Sequence, residues 1–413
     1  TLIYTSGTTG APKAVMLTHR NISWIAAKMV ELLDVKAEDR LISYLPLSHI
    51  AEQIASMYLS LATGACVHFA ESIEKLGENL KEVRPHVFLG VPRVWEKIQA
   101  GIQAAGAQNP PLKKKIAAWA RKTGLAGGYA DQKGEPRPWQ YGLASRLVFS
   151  KVREKLGMTE TRFAVASAAP LAQETQEFFL SLGIPILDIW GMSELTGPAT
   201  ISLPSSYRTG RAGRPLPGSE MKIASDGELL VRGPHVFKGY YKNEAVTRET
   251  IDDEGWLHSG DVAELDDEGF LRITDRKKEL IITAGGKNIA PQFLEGKLKQ
   301  IPAISQAVAI GDRKPYVGAL LAIDPGRVAD EAAKAGSPAR TPAEAAECAT
   351  FKAYVEGQVE EINRGLARYE QIKRIVLLPE ELSIDGGELT PTMKLKRRVI
   401  HEKHAAAIES LYA

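Results

Sequence analysis

Cysteine is scarce: Cys66 and Cys348 are the only two among 413 residues. Two thiols do not staple a chain of this size, so a reducing compartment, the cytoplasm, is expected. Both cysteines are read as small buried hydrophobes. Charge of one sign is lacking as well. The 52 basic and 50 acidic residues leave a formal net charge of +2. That balance gives no general reason to expect a nucleic-acid partner. Long apolar runs are absent too, and none approaches the roughly 18 residues that a membrane-spanning helix needs. What remains is ordinary globular material, 44% hydrophobic and 25% charged. At roughly 150 residues per domain, two or three domains are expected.

The first two-thirds alternates short apolar runs with helical patterns. Leu41–Leu45, Ala65–Phe69, His86–Val91, Arg162–Ala166 and Ile184–Trp190 read as strands, and Ile22–Leu33, Ile73–Val83 and Gln173–Leu182 as helices. Alternation of this kind predicts a parallel sheet covered by helices on both faces, an α/β architecture. Arg208–Gly269 is richer in Gly, Pro and short β runs, and predicts an antiparallel sheet or small barrel. After Asp275 the texture changes. Pro291–Gln300 and Phe351–Ala367 read as helices, Gln306–Ile310, Gly318–Ile323 and Arg374–Leu378 as strands, and 325–343 as polar surface. A smaller α+β domain over 278–413 is therefore expected behind a large domain over 1–277. The chain opens with Thr1-Leu2-Ile3-Tyr4, a strand leading directly into a glycine-rich loop, so an upstream segment of the large domain is expected.

Ala105–Gly142 interrupts the alternation and reads as loop-rich. Within it Leu112, Ile116 and Trp119 recur at helical spacing beside Lys113, Lys114, Lys115, Arg121 and Lys122. A basic amphipathic helix can lie on an anionic membrane surface, which would give peripheral membrane contact. A solvated helix packing its few apolar residues on the domain is preferred, because one short apolar stripe binds weakly.

Thr5-Ser6-Gly7-Thr8-Thr9-Gly10-Ala11-Pro12-Lys13 follows the first strand. Glycines let backbone N–H groups approach phosphate oxygens. The hydroxyls of Thr5, Ser6, Thr8 and Thr9 add donors, and Lys13 adds positive charge. The spacing is not that of a Walker loop, because Pro12 and Lys13 stand where Gly-Lys would be required. With Tyr4, Ala14 and Val15, this stretch resembles the AMP-binding loop of the adenylate-forming superfamily, which includes acyl-CoA synthetases, luciferases and peptide-synthetase adenylation domains. Further stretches resemble that superfamily's motifs, in its order, over nearly the whole chain.

Pro46-Leu47-Ser48-His49-Ile50-Ala51-Glu52 resembles the next motif, and the match implies that His49 lies by the carboxylate substrate. Ser167-Ala168-Ala169-Pro170-Leu171 resembles the loop whose backbone meets adenine, with Ala168 and Ala169 where glycines are commoner. Asp188-Ile189-Trp190-Gly191-Met192-Ser193-Glu194-Leu195-Thr196 resembles the aromatic-Gly motif. By that match Trp190 stacks on adenine, followed by Gly191. Ser193 donates to a phosphate, and Glu194 holds Mg2+, a hard ion that takes oxygen ligands. A core tryptophan followed by a helix cap would account for Ser193 but not for Glu194.

Gly255-Trp256-Leu257-His258-Ser259-Gly260-Asp261-Val262 implies that Asp261 accepts from the ribose hydroxyls. Ile273-Thr274-Asp275-Arg276-Lys277-Lys278 implies Arg276 on the ribose and phosphate side and Lys278 at the hinge. Thr283-Ala284-Gly285-Gly286-Lys287-Asn288 resembles the loop along the pantetheine arm of coenzyme A, with Gly285 and Gly286 suited to close approach. In Leu389-Thr390-Pro391-Thr392-Met393-Lys394-Leu395-Lys396-Arg397, Lys394 matches the C-terminal catalytic lysine by register, ahead of Lys396. Met393 stands where glycine is frequent, which implies a stiffer loop.

The resemblance implies a ligase with ATP, Mg2+ and coenzyme A. Such an enzyme activates a carboxylic acid as acyl-AMP and transfers the acyl group to a thiol, while the small domain swings about its hinge. The stretch 254–278, the segment Phe88–Trp95 and the insertion at 105–142 resemble long-chain fatty-acyl-CoA synthetases, including the bubblegum-like branch. A carrier-protein-loading enzyme and a non-catalytic AMP-binding fragment are the rivals. A P-loop kinase is disfavoured by the loop spacing.

Overall fold

The computed structural model describes residues 1–5, 12–390 and 393–413. The chain divides into two compact units: Thr1–Ser259 with Ala263–Ile273, and Gly260–Val262 with Thr274–Ala413.

The first unit begins with β1 (Leu2–Thr5) and β2 (Lys13–Met16), antiparallel with Thr5 opposite Lys13. The helix His19–Leu33 follows. Thr18 and Asn21 form a capping box at its start, each side chain accepting from the other's backbone N–H. The central sheet contains β3 (Arg40–Ser43), β4 (Cys66–Phe69), β5 (Val87–Gly90), β6 (Phe163–Ala166), β7 (Ile186–Met192), β8 (Gly197–Ile201) and β9 (Arg214–Pro215), in the order β4-β3-β5-β6-β7-β8-β9. Pairing is parallel from β4 to β7 and antiparallel from β7 to β9. The expected parallel sheet is therefore present, with an antiparallel edge. Every residue of β6 is buried, as a strand covered on both faces requires. Trp95 locks β5 to β6: its indole N–H lies 3.2 Å from both the Gly90 and Val165 carbonyls. A Cβ on Gly90 would sit 2.4 Å from that nitrogen, so only glycine fits there.

A second sheet holds β10 (Glu220–Ile223), β11 (Glu228–Arg232), β13 (Leu257–Leu265) and β14 (Leu271–Arg276) in the order β10-β11-β13-β14. The short strand β12 (Gly239–Tyr240) joins β2 instead.

In the second unit β15 (Ile281–Ile282) and β16 (Asn288–Ile289) form a hairpin. Its main sheet is β17 (Ile304–Ile310), β18 (Val317–Ile323) and β19 (Ile372–Leu378), antiparallel then parallel. Both β17 and β18 are buried throughout, with the helices Pro291–Leu298 and Ala349–Asn363 on one face and Ile400, Ile408 and Leu411 on the other.

Three expectations need correction. The 105–142 segment is mainly helical: Pro92–Ala107 runs into it, and Pro111–Lys133 and Tyr141–Ala144 follow. Its glycines hid the pattern because they serve close packing; a Cβ on Gly124 or Gly127 would lie 2.2 Å from Ser181 or Tyr141. The stretch 325–343 is not all surface, because Val328, Ala332 and Ala339 are buried around the helix Val328–Ala335. Alanines at helical spacing carried that core face without a strong apolar signal. Cys66 is exposed, not buried, since β4 is an edge strand, and Cys348 is half-buried beside Ser337.

Candidate active site

Residues 6–11 separate β1 from β2, so Ser6, Gly7, Thr8 and Thr9 lie outside the described residues. Thr5 and Lys13 face each other across the base of that connection, and Thr5 Oγ1 donates to the Lys13 carbonyl at 3.4 Å. The Lys13 ammonium stands 5.1 Å from the ring centre of Tyr240, a cation–π contact. The pairing of β12 with β2, Tyr240 opposite Val15, brings them together.

The Tyr240 hydroxyl then donates to Glu194 Oε1 at 2.8 Å. Glu194 is 7% exposed, on a short helical turn directly after β7. Its carbonyl accepts from Phe237 N at 2.8 Å, and Thr196 Oγ1 donates to the His235 carbonyl at 2.7 Å. Asn21 Nδ2 donates to the Pro234 and Val236 carbonyls at 2.8 and 2.9 Å. Asn21, the second member of the capping box at the start of the first long helix, therefore also anchors the turn leading to Tyr240. Lys13 and Glu194, far apart in sequence, meet through one phenol.

Trp190 sits in the core of this unit at the end of β7. Gly191 is fixed by its own hairpin, since a Cβ there would lie 2.0 Å from the Gly197 carbonyl. Ser193 opens the turn without capping it; Met192 holds the N-cap position and no side-chain cap bond forms. Ala168 adopts φ +76°, left-handed and strained for any residue with a Cβ, which accounts physically for glycine at such a position. Ala169, beside it, is exposed. His49 caps the turn Ile50–Glu52: its Nδ1 accepts from Ala51 N at 3.2 Å, which leaves Nε2 to carry the proton in the neutral ring.

Two groups near these motifs carry shifted acidity. Burial pushes the Asp188 carboxyl up to about 8, against the opposing hydrogen bond from Gln176. Burial pushes His235 down to about 4. Neither His235 ring nitrogen has a partner among the described residues, and the ring stacks on Trp24 at 5.1 Å.

In the second unit, Arg276 Nε donates to Asp261 Oδ1 at 3.0 Å, pairing the two residues that sequence assigned to the ribose side. Lys278 is exposed in the turn that follows, where Glu279 N and Leu280 N both donate to the Arg276 carbonyl. Gly285 and Gly286 form the exposed tip between β15 and β16. Gly286 has φ +73°, and a Cβ on Gly285 would meet nothing closer than Thr283 Oγ1 at 4.0 Å. Lys394 is exposed on a tight hairpin: Leu389 bridges Leu395, and Lys394 N donates to Thr390 Oγ1 at 3.0 Å. Met393, on the same hairpin, has φ +63°.

Among the described residues no group of three or more His, Cys, Asp or Glu could hold a metal. Glu194 offers a single carboxylate, with Oε1 accepting from Tyr240, so a hard ion here would complete its shell with phosphate and water oxygens. Tyr240 is the member that sequence reasoning missed. Its only local signal is a tyrosine in a Gly-Tyr-Tyr run, and nothing in that run points to Glu194.

Comparison with known proteins gives the family. The model of the AMP-binding enzyme family matches residues 1–241, and that of the AMP-binding enzyme C-terminal domain matches 278–413. The chain belongs to this adenylate-forming family. Within it, the chain is 42% identical over 443 residues to the long-chain-fatty-acid–CoA ligase ACSBG2 of Xenopus laevis, covering 100% of this chain and 60% of that protein. It is 45% identical over 419 residues to the fadD11 protein of Mycobacterium tuberculosis, covering 100% of this chain and 73% of the relative. Among solved structures, the adenylation domain of a Mycobacterium chelonae carboxylate reductase superposes with a TM-score of 0.76 at 23% identity, over 100% of this chain and 59% of that one. The AMP complex of O-succinylbenzoate coenzyme A synthetase from Bacillus subtilis gives a TM-score of 0.65 at 24% identity, over 96% and 68%. No helix among the described residues is long and apolar enough to cross a membrane.

Proposed function

We propose that this chain forms the catalytic part of an AMP-forming acid–thiol ligase that activates a long-chain fatty acid with ATP and passes the acyl group to coenzyme A. The observation that carries the reading is the convergence of Lys13 and Glu194 on Tyr240, in a chain whose relatives include named long-chain-fatty-acid–CoA ligases.

A carboxylate is a poor acyl donor because oxide would have to leave. Attack of a carboxylate oxygen on the α-phosphorus of ATP forms a mixed anhydride and breaks the bond to pyrophosphate. Negative charge spreads over the phosphate oxygens in that transition state, so catalysis is electrostatic. Lys13 and the hydroxyls of Thr5, Ser6, Thr8, Thr9 and Ser193 would donate to phosphate. Trp190 would stack on adenine, with backbone from Ala168, Ala169 and Gly191 around it. Asp261 would accept from the ribose hydroxyls, with Arg276 holding Asp261 in place. Lys394 would approach the α-phosphate and the carboxylate, and His49 would face the acid. Glu194 would hold Mg2+, which supplies charge neutralisation at the phosphates. In the second half-reaction a thiol attacks the acyl carbonyl and AMP leaves, with Gly285 and Gly286 along the pantetheine arm.

Two domains meeting at 277/278 and turning about Lys278 fit these two steps, which need different neighbours at one carbon. For membrane contact, Leu112 is 69% exposed beside Lys113, Lys114 and Lys115, whereas Trp119 packs on the domain. A peripheral, weak association with anionic lipid fits that division.

The test is acid-dependent pyrophosphate release across acyl chain lengths, followed by thioester formation with free coenzyme A or with a holo-carrier protein. Release that peaks with long-chain acids, and transfer to free coenzyme A, is expected. Nucleotide binding without acid-dependent pyrophosphate release would sink the proposal.

A further inference from the structure

Three charged side chains inside the second unit are unused by the mechanism above. Arg397 Nη1 and Nη2 donate to the two oxygens of Glu295 at 2.8 and 2.9 Å, a bidentate pair. Arg397 Nε donates to Glu279 Oε2 at 3.1 Å. Side-chain exposure is 16% for Arg397, 12% for Glu279 and 8% for Glu295, so these charges are nearly withdrawn from water. Glu295 Oε1 also accepts from Ala309 N at 2.9 Å, which ties the group to β17.

The positions of the three residues matter more than their strength. Glu279 directly follows Lys278, and Arg397 opens the helix Arg397–Lys403 directly after the Lys394 hairpin. Asp275, on the other side of Lys278, is fully buried with Oδ2 unpartnered among the described residues, and lies within the field of Arg397, Glu279 and Glu295. The network therefore joins the residue just after the hinge to the residue just after the Lys394 hairpin. Such buried ionic groups add little net stability over apolar packing, and their attested use is to fix register.

We propose that Arg397 is a positioning residue: its fork onto Glu279 and Glu295 fixes the Lys394 hairpin to the segment just beyond the hinge, so that hinge rotation carries the lysine as a rigid unit. This rests on the proposed ligase reading. A lysine at 397 cannot serve both carboxylates with one planar fork.

The experiment measures each half-reaction separately in the full chain: acid-dependent pyrophosphate release, and thioester formation from supplied acyl-AMP. Arg397→Lys is expected to lower pyrophosphate release about 100-fold, the usual scale for a misplaced catalytic group. Thioester formation should stay within about threefold of wild type, since Lys394 is not used there. In a Lys394→Ala background, Arg397→Lys should cost nothing further. Glu279→Gln removes one arm and leaves the Glu295 pair, so it keeps the fold if Arg397→Lys does not. It should show the same pattern at about tenfold. Equal losses in both half-reactions, an undiminished loss in the Lys394→Ala background, or no loss at all would overturn the proposal. Absence of acid-dependent pyrophosphate release from the wild-type chain would instead remove the ligase reading itself.

Discussion

The Tyr240 hydroxyl donates to Glu194 Oε1 at 2.8 Å while the same ring lies under the Lys13 ammonium at 5.1 Å. One side chain thus orients two groups of opposite charge, and it can be dissected. Tyr240→Phe keeps the ring and loses the hydroxyl. With Mg2+ at Glu194 as proposed, it is expected to raise the Mg2+ concentration for half-maximal nucleotide binding about tenfold, the scale for loss of a hydrogen bond to a metal ligand. Tyr240→Leu should lose in addition the cation–π contact, about 0.5–1 kcal/mol of nucleotide affinity without Mg2+. Calorimetry with and without the ion separates the two. An unchanged Mg2+ requirement in Tyr240→Phe would contradict the arrangement.

Lys394→Ala should reduce acyl-AMP formation about 1000-fold, the scale for removing an electrostatic stabiliser, and spare thioester formation from supplied acyl-AMP. Gly285→Leu should do the reverse. A Cβ at Gly285 would meet nothing closer than Thr283 Oγ1 at 4.0 Å, so the substitution tests the proposed passage of the thiol arm. Normal transfer to coenzyme A in Gly285→Leu would remove that role.

Ala168 and Met393 hold left-handed backbone at φ +76° and +63°. Replacing either with glycine relieves a penalty of about 1 kcal/mol in the folded state, partly offset by a more flexible unfolded chain. Thermal unfolding should therefore show Ala168→Gly unchanged to slightly more stable. A clear destabilisation would mean that the Ala168 methyl is held by contacts that outweigh the strain.

His235 contributes to the pH dependence of stability. Its pKa is pushed down to about 4 by burial, against 6.5 when exposed. Between those values the unfolded chain binds a proton that the folded chain refuses. The contribution of His235 is thus fully present above pH 6.5, falls as pH drops toward 4, and amounts to about 3 kcal/mol in all, against the opposite trend of the buried Asp188 and Asp275 carboxyls. His235→Phe keeps a ring stacked on Trp24 and cannot titrate. Denaturant melts from pH 7 to 4 should show the variant losing about 3 kcal/mol less stability than wild type over that range; parallel profiles would rule the histidine out.

Much of the fold was legible in one dimension. Alternating apolar runs marked β3, β5, β6 and β7 to within two residues at nearly every end, because a strand buried on both faces must be apolar along its length. The helices inside 105–142 were missed, because glycines placed for close packing look like turn residues when no neighbour is known. The motif residues were named by resemblance, and their pairings were not.

Sequence alone determined which side chains are present and in what order, and family resemblance supplied the roles proposed for them at phosphate, metal and ribose. That information is local, carried by residue type and spacing. Tertiary structure alone decided that Lys13 and Glu194 share Tyr240, that Asp261 pairs with Arg276, and that Arg397 bridges Glu279 and Glu295. Each of those contacts joins residues well separated along the chain. Strand pairing and helix packing create such neighbours, and no periodicity in the sequence records them.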